Sequence, residues 1–261
     1  MIRFIASDLD GTLLLNGAQS VDEETLRAIA KLLKSGIHFA AASGRQITSL
    51  KRLFEPVSKD LVYIAENGAL VAYKDKVIAK TAMERDLALE IIDDVYNRAN
   101  CEVLVSGQKT AYIKPKTKEY HHRMTEVVNY HTTLVEDFSE IREDILKVAV
   151  CDLSGISNSR DYFFDRWQGK ASIAVSGDLY LDFMETSVSK GKAINQIKEY
   201  FKLQSNECMA FGDNYNDITM LDNVKYSYVM EKAVADVKKH GNYEAKRVVD
   251  TLRERFPQIL S

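Results

Sequence analysis

Proline is nearly absent from this sequence. The three prolines, at positions 56, 115 and 257, leave no room for a Pro-rich linker. Cysteine is as scarce. Cys101, Cys151 and Cys208 stand alone, with no C-x-x-C and no spacing that would form a disulfide framework. They read as reduced, buried residues of a cytoplasmic protein. Adjacent His121 and His122 point in different directions on a helix and have no partner three or four residues away in "YHHRMTEVVN", so they read as surface residues, not as a zinc site. No apolar stretch approaches the ~20 residues of a membrane-spanning helix. The start "MIRFIASDLD" has an acid by position 8 and reads as a strand, not as a secretory leader. A net charge of −3, without a basic patch interleaved with aromatics, gives no footprint for nucleic acid. Internal repeats and low-complexity segments are also missing.

The 261 residues that remain would fill one large or two moderate domains. Residues 2–7 form a short apolar run. "SVDEETLRAIAKLLKSG" follows, with capping-box spacing at Ser20 and Glu23, an apolar face of Leu26, Ile29, Ala30 and Leu33, and Gly36 to close it. "IHFAAA" (37–42) and "LVYIA" (61–65) read as strands buried on both faces, with a helix over about 46–54 between them. Strand–helix–strand–helix–strand implies parallel strands joined by crossovers, the doubly wound α/β class. Residues 69–83 read as a hairpin turning near Lys74–Asp75. From about 84 the rhythm changes to an α+β pattern of helices (84–100, 116–129 and about 158–168) and antiparallel-looking strands. The first rhythm resumes with the helix 189–201, the strand "CMAF" (208–211), a short strand near 226–230 and C-terminal helices. We therefore expect a core of 1–83 plus 186–261 and an inserted α+β domain of 84–185.

Four polar clusters share one address. Asp8–Thr12, Ser43–Arg45, Glu66–Gly68 and Gly212–Asp217 each follow a short apolar strand. The carboxyl ends of strands in an open parallel sheet form the ligand crevice, so the clusters should meet there. Lys190, at a helix start, can point into the same place. Asp8 and Asp213 offer the hard oxygens that magnesium takes, with water and phosphate completing its shell. Asp8 and Asp10 point the same way along an extended backbone. Ser43, with nearby backbone amides, can hold phosphate oxygens. Lys190 can neutralise carboxylate and phosphate alike. These groups suit phosphoryl transfer: Asp8 as nucleophile, Asp10 as acid and then base, magnesium and Lys190 as charge stabilisers.

"DLDGT" (8–12), "SGR" (43–45), "SKG" (189–191) and "GDNYND" (212–217) occur in the order of the four motifs of the haloacid dehalogenase (HAD) superfamily, which they resemble. The insertion between the second and third motifs resembles the large α/β cap of the Cof-type subfamily (type IIB cap). The resemblance covers essentially the whole chain and implies a Rossmann-like core. It makes Asp8 the nucleophile and a metal ligand, and Asp10 the acid/base with its backbone carbonyl on the metal. Ser43, Lys190 and Asn216 become phosphate contacts, Asp213 a metal ligand, and Asp217 a support for the metal through water. Gly44, the Leu9 amide and Asn67 are weaker candidates. The tail "MEKAVADVKKHGNYEAKRVVDTL" departs from the family, lacking its "NA" and late Thr/Gly stretch.

The resemblance implies a cytoplasmic, Mg²⁺-dependent phosphatase of small phosphomonoesters. Sugar phosphates come first, then phosphorylated cofactors such as pyridoxal phosphate or flavin mononucleotide. The cap would close over the crevice and select the leaving group. We expect a monomer with a small-molecule phosphoester as partner, and neither nucleic acid nor membrane. Two alternatives share the acid cluster. A sugar phosphomutase would return the phosphoryl group to a sugar. A phospho-accepting signalling module would be about half this length and lack an equivalent of Asp10.

Overall fold

The computed structural model describes residues 1–128 and 130–261. The chain divides into two compact units, Met1–Ala79 with Ser189–Ser261, and Lys80–Val188. In chain order, the strands begin with β1 (Phe4–Asp8), β2 (His38–Ala42), β3 (Val62–Ala65), β4 (Leu70–Tyr73) and β5 (Lys76–Lys80). Next come β6 (Cys101–Ser106), β7 (Ala111–Ile113), β8 (Thr132–Leu134), β9 (Lys147–Asp152), β10 (Ser172–Val175) and β11 (Tyr180–Met184). The chain returns to the first unit for β12 (Cys208–Gly212), β13 (Tyr226–Met230) and β14 (Tyr243–Ala245).

In the first unit the sheet order is β14-β13-β12-β1-β2-β3-β4-β5. The strands from β14 to β3 run parallel, and β4 is antiparallel to β3. This is the doubly wound α/β arrangement. The parallel strands are apolar throughout because both faces are covered. Phe4, Ala6, Ala40, Ala42, Val62, Ile64 and Ala210 pack with Ala193, Ile194 and Ile197 of the helix Lys190–Phe201. Ile5, Phe39 and Met209 alternate to the other side and are equally buried, with the helix Glu23–Lys34 packed on β2. At the hairpin, Lys74 and Asp75 both have positive φ (48° and 59°). Two consecutive left-handed residues give the turn whose twist suits a tight hairpin.

The helix Glu23–Lys34 differs from its sequence pattern in two ways. Its N-cap is Asp22, whose Oδ1 accepts the Thr25 amide at 2.8 Å, so Ser20 and Glu23 form no capping box. Its buried stripe is Thr25, Ala28, Ile29 and Leu32, one position behind the expected set, and Ala30 is exposed. Both stripes have helical spacing and share Ile29. Packing on β2 and on the helix Val248–Arg255 chose between them. β14 is a further addition: three residues, two of them exposed, with no apolar run to announce it.

The inserted unit is a sheet of order β10-β11-β9-β6-β7-β8, antiparallel except for the β7–β8 pair. Alternation along β9 shows how its faces are filled. Val148 and Val150 join Ile91, Ile92, Phe163 and Trp167 from the helices Arg85–Tyr96 and Arg160–Trp167. Ala149 and Cys151 turn the other way and meet Tyr120 and Met124. The helix expected over 116–129 is α-helical only at Lys118–His122 and continues as a wider π turn at Arg123–Val127; residue 129 lies outside the described residues. All three cysteines are free and buried.

At Gly68 the two halves of the first unit's chain approach each other closely. It has φ +105°, and a Cβ there would sit 2.4 Å from the carbonyl oxygen of Ser189. Gly68→Ala should therefore destabilise the fold by more than about 1 kcal/mol, from combined strain and clash. The measurement is the urea midpoint, with Gly36→Ala as control; Gly36 also has positive φ, but a Cβ there meets nothing within 4 Å.

Candidate active site

The sheet order creates the site. β1 has β2 on one side and β12 on the other, so the chain winds outward in both directions from β1. The crevice of an open α/β sheet lies at such a switch point, beyond the strand carboxyl ends. Register then brings distant residues level. Ser7 pairs with Phe211, which sets Asp8 beside Gly212, and Asp8 pairs with Ala42, which places Ser43 one residue beyond the edge. The next neighbour, β3, ends at Ala65, directly before Glu66 and Asn67.

Lys190 sits at the centre, with no exposed surface. Ser189 caps its helix by accepting the Lys192 amide at 3.1 Å, which directs the first turn into the crevice. Its Nζ donates to Asp8 Oδ1 at 2.5 Å and to Asp217 Oδ1 at 2.6 Å. One of its three donors remains for a ligand. Burial would depress this lysine, but Asp217 and Asp8 outweigh it and hold the ammonium charged well past the ordinary lysine range. Asp217, also fully buried, accepts the amides of Asp213 and Asn214 on Oδ2, each at 3.0 Å. Both its oxygens are thus committed.

Asp213 is fixed by Thr12, whose hydroxyl donates to Oδ1 at 2.6 Å. Its other oxygen lies against Gly11, where a Cβ would come within 2.2 Å of Oδ2. Oxygens of Asp8, Asp213 and Asp217 all lie within 4.8 Å of one another. Burial, then the Asp217 charge, pushes the Asp8 carboxyl well above the usual range, against the pull of Lys190. Burial also raises Asp213. Three carboxylates around one ammonium leave the cluster short of positive charge, and all the donors are hard oxygens. Those two properties fit a divalent cation such as magnesium.

The remaining candidates stand around this centre. Ser43 is buried, and its hydroxyl oxygen accepts the Arg45 amide at 3.2 Å, so its proton can be donated to a ligand. Leu9 is buried at the turn after β1, and its carbonyl accepts the amides of Thr12 and Leu14. Gly44 lies against Asn67, whose amide a Cβ at Gly44 would approach to 3.1 Å. Asn216 is exposed and donates to Asn67 Oδ1 at 3.1 Å. Glu66 and Asn67 both have positive φ (49° and 56°), a strained pair of the kind found at functional sites. Asp10 stands apart from the other acids, with its side chain 57% exposed and held by the Arg45 guanidinium through two bonds. Sequence reasoning assigned nothing to Arg45 or Thr12. Their motifs contained them, but only the fold shows which acid each one meets.

Known proteins are similar to this chain along most of its length. The family described as haloacid dehalogenase-like hydrolase matches residues 5–250. A 5-amino-6-(5-phospho-D-ribitylamino)uracil phosphatase of Escherichia coli K12 is 24% identical over 252 residues, covering 94% of this chain and 90% of its own. A solved structure from Eubacterium rectale superposes with a TM-score of 0.86 at 27% identity, over 97% of this chain and 99% of that one. A HAD subclass IIB sugar phosphatase shares the fold, with a TM-score of 0.78 at 20% identity over 98% and 99% of the two chains.

The Lys190 ion pairs yield a stability test. Lys190→Met strands two buried carboxylates, and removing one partner of such a pair costs about 3–5 kcal/mol. The variant should show a correspondingly lower urea midpoint, and Asp217→Asn in the same background should recover part of the loss.

Proposed function

Because the chain belongs to the haloacid dehalogenase-like hydrolases, in the Cof-type branch, we propose that it is a magnesium-dependent phosphatase of small phosphomonoesters, sugar phosphates foremost, acting through an aspartyl-phosphate on Asp8. The observation that carries this reading is the fully buried Lys190, which binds Asp8 and Asp217 at the switch point with Asp213 beside them. A buried ammonium is costly without its carboxylates, and it suits charge that arrives with a substrate. The named activities of the relatives, a ribitylaminouracil phosphatase and a sugar phosphatase, support a small phosphorylated polyol or sugar.

The residues have separable tasks. Lys190, Ser43, the Gly44 and Leu9 amides and Asn216 bind the phosphoryl oxygens. Asp8 has one oxygen on Lys190 and uses the other to attack phosphorus in line as the alcohol departs. Asp10 gives its proton to the leaving oxygen, then takes one from the water that hydrolyses the aspartyl-phosphate. Asp8, Asp213 and the Asp10 carbonyl would hold magnesium, with Asp217 behind them because its oxygens are already bonded. When bound, the ion supplies positive charge that stabilises the phosphoryl group in its transition state. We assign choice of leaving group to the inserted unit, Lys80–Val188, and the place of action to the cytoplasm, in keeping with three free cysteines.

A phosphate-release screen over phosphorylated metabolites with magnesium tests the reading. We expect turnover of one or more alkyl phosphates, lowered at least ~10³-fold by Asp8→Asn, the scale on which loss of a nucleophile is felt. Turnover of that variant at the wild-type rate would sink the assignment.

The raised carboxyls make a second prediction. Asp8 and Asp213 hold protons more firmly folded than unfolded. Without metal their contribution to stability therefore falls as pH rises above the ordinary carboxylate range. Magnesium binds the ionised form, so the melting-temperature gain it brings should be larger at about pH 8 than at about pH 5. Asp213→Asn should remove most of that gain.

A further inference from the structure

We propose that Arg45 is a positioning residue that aims the Asp10 carboxyl at the leaving oxygen, an assignment that rests on the phosphatase reading above. Asp8 and Asp217 are buried and bonded to Lys190, and Asp213 is held by the Thr12 hydroxyl against Gly11, so each of the three has a fixed place. Asp10 follows β1 in a turn, ahead of Gly11 at φ +91°, with its side chain more than half exposed. Exposed carboxylates sample several rotamers, yet proton transfer requires one. Arg45 supplies the constraint. Its Nε donates to Asp10 Oδ2 at 3.0 Å and its Nη2 to Oδ1 at 2.5 Å. Two parallel bonds from a planar fork set the plane of the carboxylate as well as its distance, which a point charge cannot do.

Arg45 is itself anchored to the site. Its amide donates to the Ser43 hydroxyl at 3.2 Å, and its carbonyl accepts the Glu66 amide at 3.1 Å. The backbone that carries the guanidinium is thus tied to the phosphate-binding serine and to the strained Glu66–Asn67 turn. An ion pair this exposed adds little to folding stability, so its geometry matters more than its strength.

In the first step, the Asp8–phosphorus bond forms as the phosphorus–alcohol bond breaks, and the Asp10 proton passes to the departing oxygen. In the second, water bonds to phosphorus and gives its proton to Asp10, and the electron pair of the broken bond returns to Asp8. The first step depends on Asp10 in proportion to how poorly the alcohol leaves. An alkoxide needs the proton, whereas p-nitrophenolate departs without it.

Single-turnover formation of the phosphoenzyme separates this role from others. We expect Arg45→Ala to slow formation from the best alkyl phosphate of the release screen by about tenfold or more, and from p-nitrophenyl phosphate by less than about threefold. Arg45→Lys should recover only part of the alkyl rate. In an Asp10→Asn background, Arg45→Ala should add almost nothing. Equal losses for both esters, a KM raised equally for both, or effects that multiply independently of Asp10→Asn would each overturn the assignment. Should Arg45→Ala not fold, the comparison of esters is made with Arg45→Lys alone. A wild-type enzyme inactive on every ester overturns the phosphatase reading and this assignment together, whereas an active wild type with equal losses overturns only the latter.

Discussion

An ammonium group without solvent, bonded at once to Asp8 and Asp217, is the interaction around which the site is organised. Burying Lys190 is unfavourable unless its partners are well placed to bond it, which constrains the elements that carry them. Asp8 comes from the first strand of the sheet, and Asp217 follows a strand two hundred residues later in the chain, paired to the first in parallel register. The lysine itself starts a helix packed on the same face. Their meeting requires close backbone approaches, and glycine supplies them at Gly11 and Gly68, where a side-chain carbon would collide with Asp213 or Ser189.

Around this rigid centre the acids differ in how they are held, and the difference follows their chemistry. Asp8 and Asp217 are buried and tied by hydrogen bonds to Lys190 or to backbone amides, and Asp213 is tied to the Thr12 hydroxyl. Asp10, to which we assign the proton exchange, stands in the open, held by the Arg45 guanidinium fork. The strained Glu66–Asn67 turn lies between these two regimes. It binds the loop bearing Ser43 and Arg45 to Asn216 on the far side of the switch point. Local strain of this kind persists only where the surroundings over-determine it, as they do here.

Much of this was legible from the chain alone. Short strands apolar on every residue announce a sheet covered on both faces, and a carboxylate directly after such a strand can only lie at its end. That is why Asp8, Ser43 and Asp213 could be grouped before any coordinates. Where the sequence carried two equivalent signals, it could not choose. The Glu23–Lys34 helix bears two overlapping stripes and two candidate caps, and contacts with neighbouring elements decided both. β14 was invisible because a three-residue edge strand needs no apolar pattern, only a neighbour to bond.

By itself, then, the sequence determined the class of fold and pointed to acids and a lysine beyond the strand ends of one sheet. Periodicity and strand-end position are local properties, written in consecutive residues. Which carboxylate Lys190 binds directly, which amides saturate Asp217, and which acid the Arg45 fork holds were decided only in three dimensions. Those pairings join residues that are far apart in the chain, and sub-ångström register between strands is a property of the packed sheet.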